Sequence, residues 1–107
     1  MQTKGEVRLR GMLGFAMRAG KVTVGTENVC HILAKGMAVL VLVCHDASDG
    51  TKKKLRTKCK FYGVELQEIM IDTGELGRLL GKTYGPAAVA VTEERFAKEI
   101  ADALATN

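Results

Sequence analysis

The stretch GTENVCHILAKG, residues 25–36, places hydrogen-bonding side chains at helical spacing. Glu27, His31 and Lys35 recur every four residues, so they lie along one side of a helix that starts at Thr26, and Asn28 is adjacent to that row. The opposite face of this helix carries apolar or small residues: Val29, Ile32, Leu33 and Gly36. The polar row is either a solvated helix surface or a surface that contacts another molecule.

The start of this helix has the chemistry of a nucleic-acid contact. Gly25 lets another backbone approach closely, and the unpaired N–H groups of a helix start bind phosphate. Glu, Asn and His side chains all hydrogen-bond to base edges. Glu27 also has a simpler explanation, because a carboxylate in a first turn interacts favourably with the helix dipole. On the residues alone, the solvated surface is the stronger hypothesis.

A second basic segment, TKKKLRTKCK at 51–60, contributes six cations to one predicted helix. With Leu55 and Cys59 facing the core, the Lys and Arg side chains must spread over the outer face. Such a face is usually only solvated, and it otherwise attracts phosphate without sequence preference. No aromatic residue interleaves with these lysines as a stacking platform. We therefore interpret this helix as an electrostatic contributor and not as the specific site.

Catalytic and metal-binding motifs are weak in this chain. There is no GxSxG elbow, Walker-type loop or dinucleotide fingerprint, so an enzyme is improbable. The dipeptides Cys30-His31 and Cys44-His45, with Cys59, raise the possibility of zinc. Short spacings such as CxxC are absent, however, and the cysteines occupy apolar positions. Buried structural cysteines are the better interpretation, and no metal or cofactor is predicted.

Composition and charge limit the remaining classes. The chain has 107 residues, 47% of them hydrophobic, and a formal charge of +4, which fits one globular domain over residues 1–107. Residues 1–60 hold twelve Lys and Arg against four Asp and Glu, whereas residues 61–107 hold four against eight. This asymmetry indicates a basic surface that could bind a polyanion. No apolar run reaches the length of a membrane span, and three unpaired cysteines favour the cytoplasm.

Short apolar strands alternate with amphipathic helices, which predicts an α/β domain. Helices are predicted over 6–19, 26–36, 50–62 and 72–81, and a last one follows a capping Thr92. Strands are predicted over 21–24, 37–44, 64–71 and 87–91. The third helix is predicted to be capped by Ser48 or Asp49 and to direct Leu55, Cys59 and Tyr62 inward. Helices for both faces of a mostly four-stranded mixed sheet predict a three-layer α/β/α sandwich.

Several stretches in this order resemble one known group of proteins. They are RAGKVTVGTENV, MAVLVLVCHDAS, TKKKLRTKCKFYGV, ELGRLLGK and AAVAVTEERFA, which together cover about Gly11 to Phe96. The group is the kink-turn-binding ribosomal-protein superfamily of the L7Ae and L30e type. The block HDASDGTKKKLRTKCKFYGV is most similar to its small bacterial members of the YlxQ type.

The resemblance implies a non-catalytic protein that binds structured RNA. In the family, a Gly-x-Asn-Glu-x-x-Lys signature at a helix start reads the sheared G·A pairs of a bent RNA, and a loop before the last strand packs on an extruded nucleotide. Gly25 matches the signature glycine, while Glu27, Asn28 and His31 stand where the family has Asn, Glu and Lys. The exchange alters which base edge each group reaches, and His in place of Lys makes that contact weaker or pH-dependent.

The remaining site residues come from this resemblance together with the polar row and the start of the second helix. Thr26 is expected to position the helix start with Gly25, and Tyr84 to stack on an unpaired base. Lys21, Lys35 and Lys82 are expected to pair with phosphates, with Thr83 in the same loop. The expected partner is ribosomal RNA or another kink-turn-like RNA, in the ribosome or another ribonucleoprotein. The alternative is a protein-interaction module of the same fold with only non-specific RNA affinity.

Overall fold

The computed structural model describes residues 2–106 of the chain. The predicted domain of residues 1–107 also includes Met1 and Asn107, which lie outside the described residues. Five helices alternate with four strands. The helices are α1 (Lys4–Arg18), α2 (Thr26–Ala34), α3 (Asp49–Tyr62), α4 (Thr73–Leu79) and α5 (Glu94–Ala105). The strands are β1 (Val22–Val24), β2 (Leu40–Cys44), β3 (Glu65–Ile69) and β4 (Ala88–Val91).

The four strands form one mixed sheet in the order β1-β4-β2-β3. β2 and β3 are parallel, and β4 runs antiparallel to both β1 and β2. All five residues of β2 and all four of β4 are buried, because helices cover both faces of these two central strands. The mixed four-stranded sheet is therefore as predicted.

Helices pack on both faces of this sheet and bury two separate apolar clusters. On one face α1, α4 and α5 cover side chains that include Leu42 and Val89. On the other face α2 and α3 direct Val29, Leu33 and Leu55 against the sheet. The three-layer α/β/α sandwich predicted from the sequence is confirmed. Within residues 2–106, no helix has both the length and the hydropathy needed to cross a membrane.

Several strand ends and helix starts lie together at one edge of the sheet. β1, β2 and β3 all end there, at Val24, Cys44 and Ile69, and the antiparallel β4 begins there at Ala88. We call this the top edge. Helices α2, α3 and α4 therefore start at the top edge, and the loop of residues 80–87 returns to it.

Most predicted elements are present, but some boundaries differ. α1 begins at Lys4 and not at residue 6, because Thr3 and Glu6 form a capping box. β2 begins at Leu40 and not at residue 37, because the chain first has to leave α2 through Gly36, at φ +72°, before it joins β4. β3 is shorter than predicted at both ends.

Two predicted side-chain roles are wrong. Tyr62 was expected in the core but is 40% exposed, because α3 buries only Leu55 and Cys59. Thr92 was expected to cap α5, but its hydroxyl donates to the carbonyl oxygen of Lys21 at 3.2 Å. Glu93 is the N-cap residue of α5, and its side chain makes no capping hydrogen bond. By contrast, Ser48 caps α3 as predicted, accepting from the N–H of Thr51.

Candidate RNA-binding site

The start of α2 is fixed to the sheet by its glycine. Gly25 has φ +100°, a conformation that residues with a Cβ rarely adopt. Its N–H donates to the carbonyl oxygen of Ala88 at 2.9 Å, which ties the beginning of α2 to the beginning of β4. No side chain caps this helix start. The first turn of α2 is therefore held at the top edge without a side chain covering its N–H groups.

Asn28 is oriented by a hydrogen bond within its own segment. Its side-chain amide donates to the carbonyl oxygen of Val24, the last residue of β1, at 2.9 Å. Asn28 is exposed, so its amide oxygen is left to accept a hydrogen bond from a ligand. The geometry thus presents Asn28 outward while one of its donors is already used.

Glu27 makes an ion pair that the sequence did not predict. The ammonium nitrogen of Lys54, in the second turn of α3, lies 2.9 Å from a carboxylate oxygen of Glu27. This contact lowers the pKa of the Glu27 carboxyl and raises the pKa of Lys54. Lys58, one turn further along α3, adds a weaker attraction in the same direction. Glu27 remains 86% exposed, so its carboxylate is partly neutralised but still open to solvent.

The predicted contact loop also lies at the top edge. Tyr84 is 55% exposed, and Lys82 donates its backbone N–H to the carbonyl oxygen of Gly77 at 2.8 Å. α4 approaches the loop so closely that a Cβ on Gly77 would overlap the carbonyl oxygen of Tyr84. Packing against α4 therefore fixes the position of the loop that contains Lys82, Thr83 and Tyr84.

The fold separates two of the predicted residues from this cluster. Lys21 precedes β1, about 13 Å from Gly25 at the rise of an extended strand, and its ammonium lies 3.7 Å from the Glu93 carboxylate. Lys35 is the C-cap of α2, about 13 Å along the helix axis from Thr26. His31 is exposed one turn beyond Glu27. Gly25 to Asn28 and the loop of residues 82–84 thus lie at the top edge, and His31 lies close to them.

The cysteines do not form a metal centre among the described residues. Between residues 2 and 106, no three or more His, Cys, Asp or Glu side chains lie in a group that could hold a metal ion. Cys44 and Cys59 belong to different apolar clusters. Burial raises the pKa of the Cys44 thiol to about 12 and that of Cys59 to about 11. Both thiols are therefore protonated at neutral pH, which is a poor state for metal binding.

A cleft of about 240 Å³ lies between α1, α5 and the end of β3. Its ionisable lining groups are Glu6, Arg10 and Glu68, and Arg10 is already bound to Glu75 at 2.6 Å. These groups do not form a nucleophile and base pair of the kind that covalent catalysis needs. The exposed polar cluster at the top edge is therefore the stronger candidate site.

One protein-family model matches most of the chain. Residues 8–101 match the model of the "Ribosomal protein L7Ae/L30e/S12e/Gadd45 family". The chain belongs to this family. The match spans most of the chain, including α2, α3 and the loop of residues 80–87, so the resemblance to this group of ribosomal proteins is confirmed.

Two bacterial proteins are similar to this chain over most of their length. Both are named RNA-binding protein YlxQ. The protein of Bacillus subtilis (strain 168) is 38% identical over 89 residues, covering 83% of this chain and 87% of its own. The protein of Enterococcus faecium is 35% identical over 89 residues, covering 82% of each chain. The similarity to the YlxQ type expected from the sequence is thereby confirmed.

Solved structures have the same fold. A protein of unknown function from Bacillus halodurans superposes with a TM-score of 0.86 at 30% identity, covering 94% of this chain and 99% of the other. A 15.5 kD RNA-binding protein from Giardia lamblia superposes with a TM-score of 0.78 at 17% identity, covering 98% and 88%. At that identity the second likeness shows the fold alone.

Sequence reasoning missed two features of the top edge. The first is the Lys54–Glu27 pair, for which a signal existed. α2 follows β1 and α3 follows β2, and these two strands point in the same direction, so both helices begin at the same end of the sheet. The second is Asp46, whose carboxylate accepts from the backbone N–H and the hydroxyl of Thr73 at 3.0 and 3.1 Å. That contact joins the turn after β2 to the start of α4, and no local pattern signals it.

Proposed function

We propose that this protein binds structured RNA at the top edge, and that it recognises a sharply bent, internally looped RNA such as a kink-turn. The observation that carries the proposal is the convergence of the α2 start and the loop of residues 82–84. Two surfaces that meet at one edge can contact both the paired bases of a bend and the nucleotide that the bend extrudes. The names of the YlxQ relatives support RNA as the ligand.

Each site residue has a role in this proposal. Gly25 and Thr26 bring the helix start against the RNA backbone. Glu27, Asn28 and His31 hydrogen-bond to base edges, and Tyr84 stacks on an unpaired base beside Thr83. The basic residues Lys21, Lys35 and Lys82 pair with phosphates, and the first two lie outside the central cluster and would contact flanking RNA. No step of this function is catalytic.

The proposed setting is cytoplasmic, with ribosomal RNA or another ribonucleoprotein RNA as the partner. The ion pair between Glu27 and Lys54 supports binding near phosphates, because it offsets a carboxylate that would otherwise repel them.

A titration can test this function directly. Kink-turn RNA and a straight duplex of equal length are titrated with the protein at two salt concentrations. We expect the kink-turn RNA to bind at least tenfold more tightly, and the difference to persist at the higher salt. Equal affinity for both RNAs would leave only electrostatic attraction and would overturn the proposed specificity.

One observation favours a second function, a protein-interaction module. Met70 is 73% exposed and lines the cleft between α1, α5 and β3, away from the α2–α3 face. Met70 shares this cleft with the apolar residues Leu9 and Leu104, and an apolar cleft at the surface can mark a contact with another protein. Absence of binding to either RNA at low salt would favour this alternative.

A further inference from the structure

The outer face of α3 carries a stripe of cations that the proposed site does not use. Lys53, Arg56 and Lys60 recur at spacings of three and four residues, and all three are exposed. Within residues 2–106 none of the three has a carboxylate partner, whereas Lys52 pairs with Glu68 at 3.2 Å. The stripe is therefore free to meet negative charge from another molecule.

An aromatic pair lies at the end of α3 that is far from the top edge. Phe61 is 80% exposed and follows Lys53 by eight residues, which places it two turns further along and about 80° around the helix axis, on the side of Lys54. Tyr62 packs edge-on against it, with ring centroids 4.9 Å apart and an interplanar angle of 86°. The sequence pattern had assigned Tyr62 to the core and left no aromatic beside the lysines. The structure places both rings at the surface.

The stripe is continuous with the proposed site. α3 starts at the top edge next to α2, and the Lys54–Glu27 pair joins the two helices at that level. From Asp49 to Tyr62 the helix is about 20 Å long. At about 3.4 Å per nucleotide, that length matches about six nucleotides of one strand.

We propose that an unpaired segment of the bound RNA leaves the top edge and follows α3. Its phosphates contact Lys53, Arg56 and Lys60, and one of its bases stacks on the exposed face of Phe61, which Tyr62 supports from the side. This inference rests on the proposed function, because it extends the same RNA beyond the bend.

The cations and the exposed aromatic ring together favour single-stranded RNA over a duplex or a protein as the partner. A duplex has phosphates for the cations, but its stacked and paired bases offer no free face to Phe61. A protein partner could cover Phe61, but three unpaired cations would then need acidic residues at matching positions. Cations that follow a backbone together with an aromatic ring that stacks on a base are the typical combination for single-stranded nucleic acid.

Tailed RNAs test the inference. The full chain is titrated with kink-turn RNA that has no tail, or an unpaired tail of about eight nucleotides at its 5′ or 3′ end. We expect one of the tails to increase affinity about tenfold. Phe61→Ala should lose most of this gain, as should the triple variant Lys53→Gln, Arg56→Gln, Lys60→Gln, while both bind untailed RNA nearly as the wild type does.

A matched control keeps the charge loss constant. The triple variant Lys4→Gln, Arg95→Gln, Lys98→Gln removes three exposed cations from α1 and α5, on the opposite side of the sheet. It should keep the tail gain. Thermal unfolding of all variants checks the fold, and Phe61→Ala is expected to melt as the wild type does, because the ring is exposed.

Several results would overturn the inference while leaving the proposed function intact. These are no gain from either tail, an equal gain when the tail is paired with a complementary strand, or an unchanged gain in Phe61→Ala. The last result would point to a protein contact at the aromatic pair. Failure of the wild type to distinguish the untailed bent RNA from a straight duplex would instead contradict the proposed function itself.

Discussion

At the scale of residues, the Glu27–Lys54 pair links the proposed base-reading residues of α2 to α3. We predict that Lys54→Gln raises the pKa of the Glu27 carboxyl, because the contact that favours its ionised form is lost. An NMR titration of the side-chain carboxyl measures this directly. Lys53→Gln is the control, since Lys53 lies one residue away and makes no contact with Glu27. An equal pKa of Glu27 in both variants would show that the pair does not form in solution.

The second residue-scale prediction concerns base recognition. Glu27→Ala with Asn28→Ala should reduce the preference for kink-turn RNA over a straight duplex by about tenfold or more, because each good base contact contributes about 1–3 kcal/mol. Loss of the Asn28–Val24 hydrogen bond should cost about 1 kcal/mol of stability. Parallel binding and thermal-unfolding measurements separate the two effects.

A control with the same chemistry is available on the edge strand β3. Glu65→Ala with Gln67→Ala also removes one carboxylate and one amide, and these side chains hydrogen-bond to each other away from the top edge. The preference for kink-turn RNA should be unchanged there. If only substitutions of the α3 lysines reduce RNA binding, the assignment of Glu27 and Asn28 as base-reading residues is wrong.

At the scale of elements, the contact of α4 with the loop of residues 80–87 holds Tyr84 in place. Gly77→Ala would insert a Cβ against the backbone of Tyr84. We expect a loss of about 1–3 kcal/mol in unfolding free energy, with a displaced loop and weaker binding of bent RNA. Denaturant unfolding and RNA titration measure the two consequences.

Gly11→Ala is the matched control in a helix. A Cβ at Gly11 meets no atom within 4 Å, so this change should stabilise α1 by up to about 1 kcal/mol and leave RNA binding unchanged. Equal stability of the Gly77→Ala protein and the wild type would mean that α4 can move away from the loop without cost.

The contact between α1 and α4 should make stability depend on pH. Arg10 binds Glu75 through two nitrogens, at 2.6 and 3.1 Å, and this holds the pKa of the Glu75 carboxyl below its ordinary value. The pair therefore stabilises the fold at neutral pH, and its contribution is lost as the pH falls through the lowered pKa in the folded state.

Glu75→Gln tests this link between the two helices. At neutral pH the variant should be less stable than the wild type by about 0.5–1 kcal/mol, the range of partly exposed pairs. The difference should shrink as the pH falls below the ordinary range of a Glu carboxyl. Denaturant unfolding between pH 7 and pH 3 measures it, and a constant difference at every pH would contradict the assignment.

At the scale of the whole molecule, charge is divided between the two helical layers. The unpaired cations of α3 lie on one side of the sheet. On the other side, Arg8 pairs with Glu99 and Arg10 with Glu75, and the exposed cations Arg95 and Lys98 of α5 are outnumbered by the three acidic residues of that helix. A polyanion should therefore approach from the α2–α3 side.

Lysine reactivity can map this approach. We predict that kink-turn RNA with the unpaired tail that increases affinity protects Lys53 and Lys60 from an amine-acylating reagent severalfold, while Lys4 and Lys98 keep their reactivity. Mass spectrometry of peptides from free and RNA-bound protein gives the ratio at each site. Equal protection on both sides of the sheet would indicate diffuse electrostatic attraction and not one binding face.

Local chemistry alone predicted much of the fold and part of the geometry of the candidate site. Alternating apolar strands and amphipathic helices gave the three-layer sandwich, because each element must bury one apolar face. The cap at Ser48 and the helix start after Gly25 were also predicted, since both depend on residues close in sequence.

Only the tertiary structure determined which of these groups meet. Lys54 contacts Glu27, and the loop that contains Tyr84 lies at the same top edge as the start of α2, because the strand order brings together segments that are far apart in the chain. The same order leaves Lys21 and Lys35 away from that cluster. Tyr62 shows that helical spacing alone does not determine burial, because its spacing predicts an inward side chain but the residue is 40% exposed. Periodicity determines which face of an element is apolar, but strand pairing and packing decide what that face, and the polar face opposite, will contact.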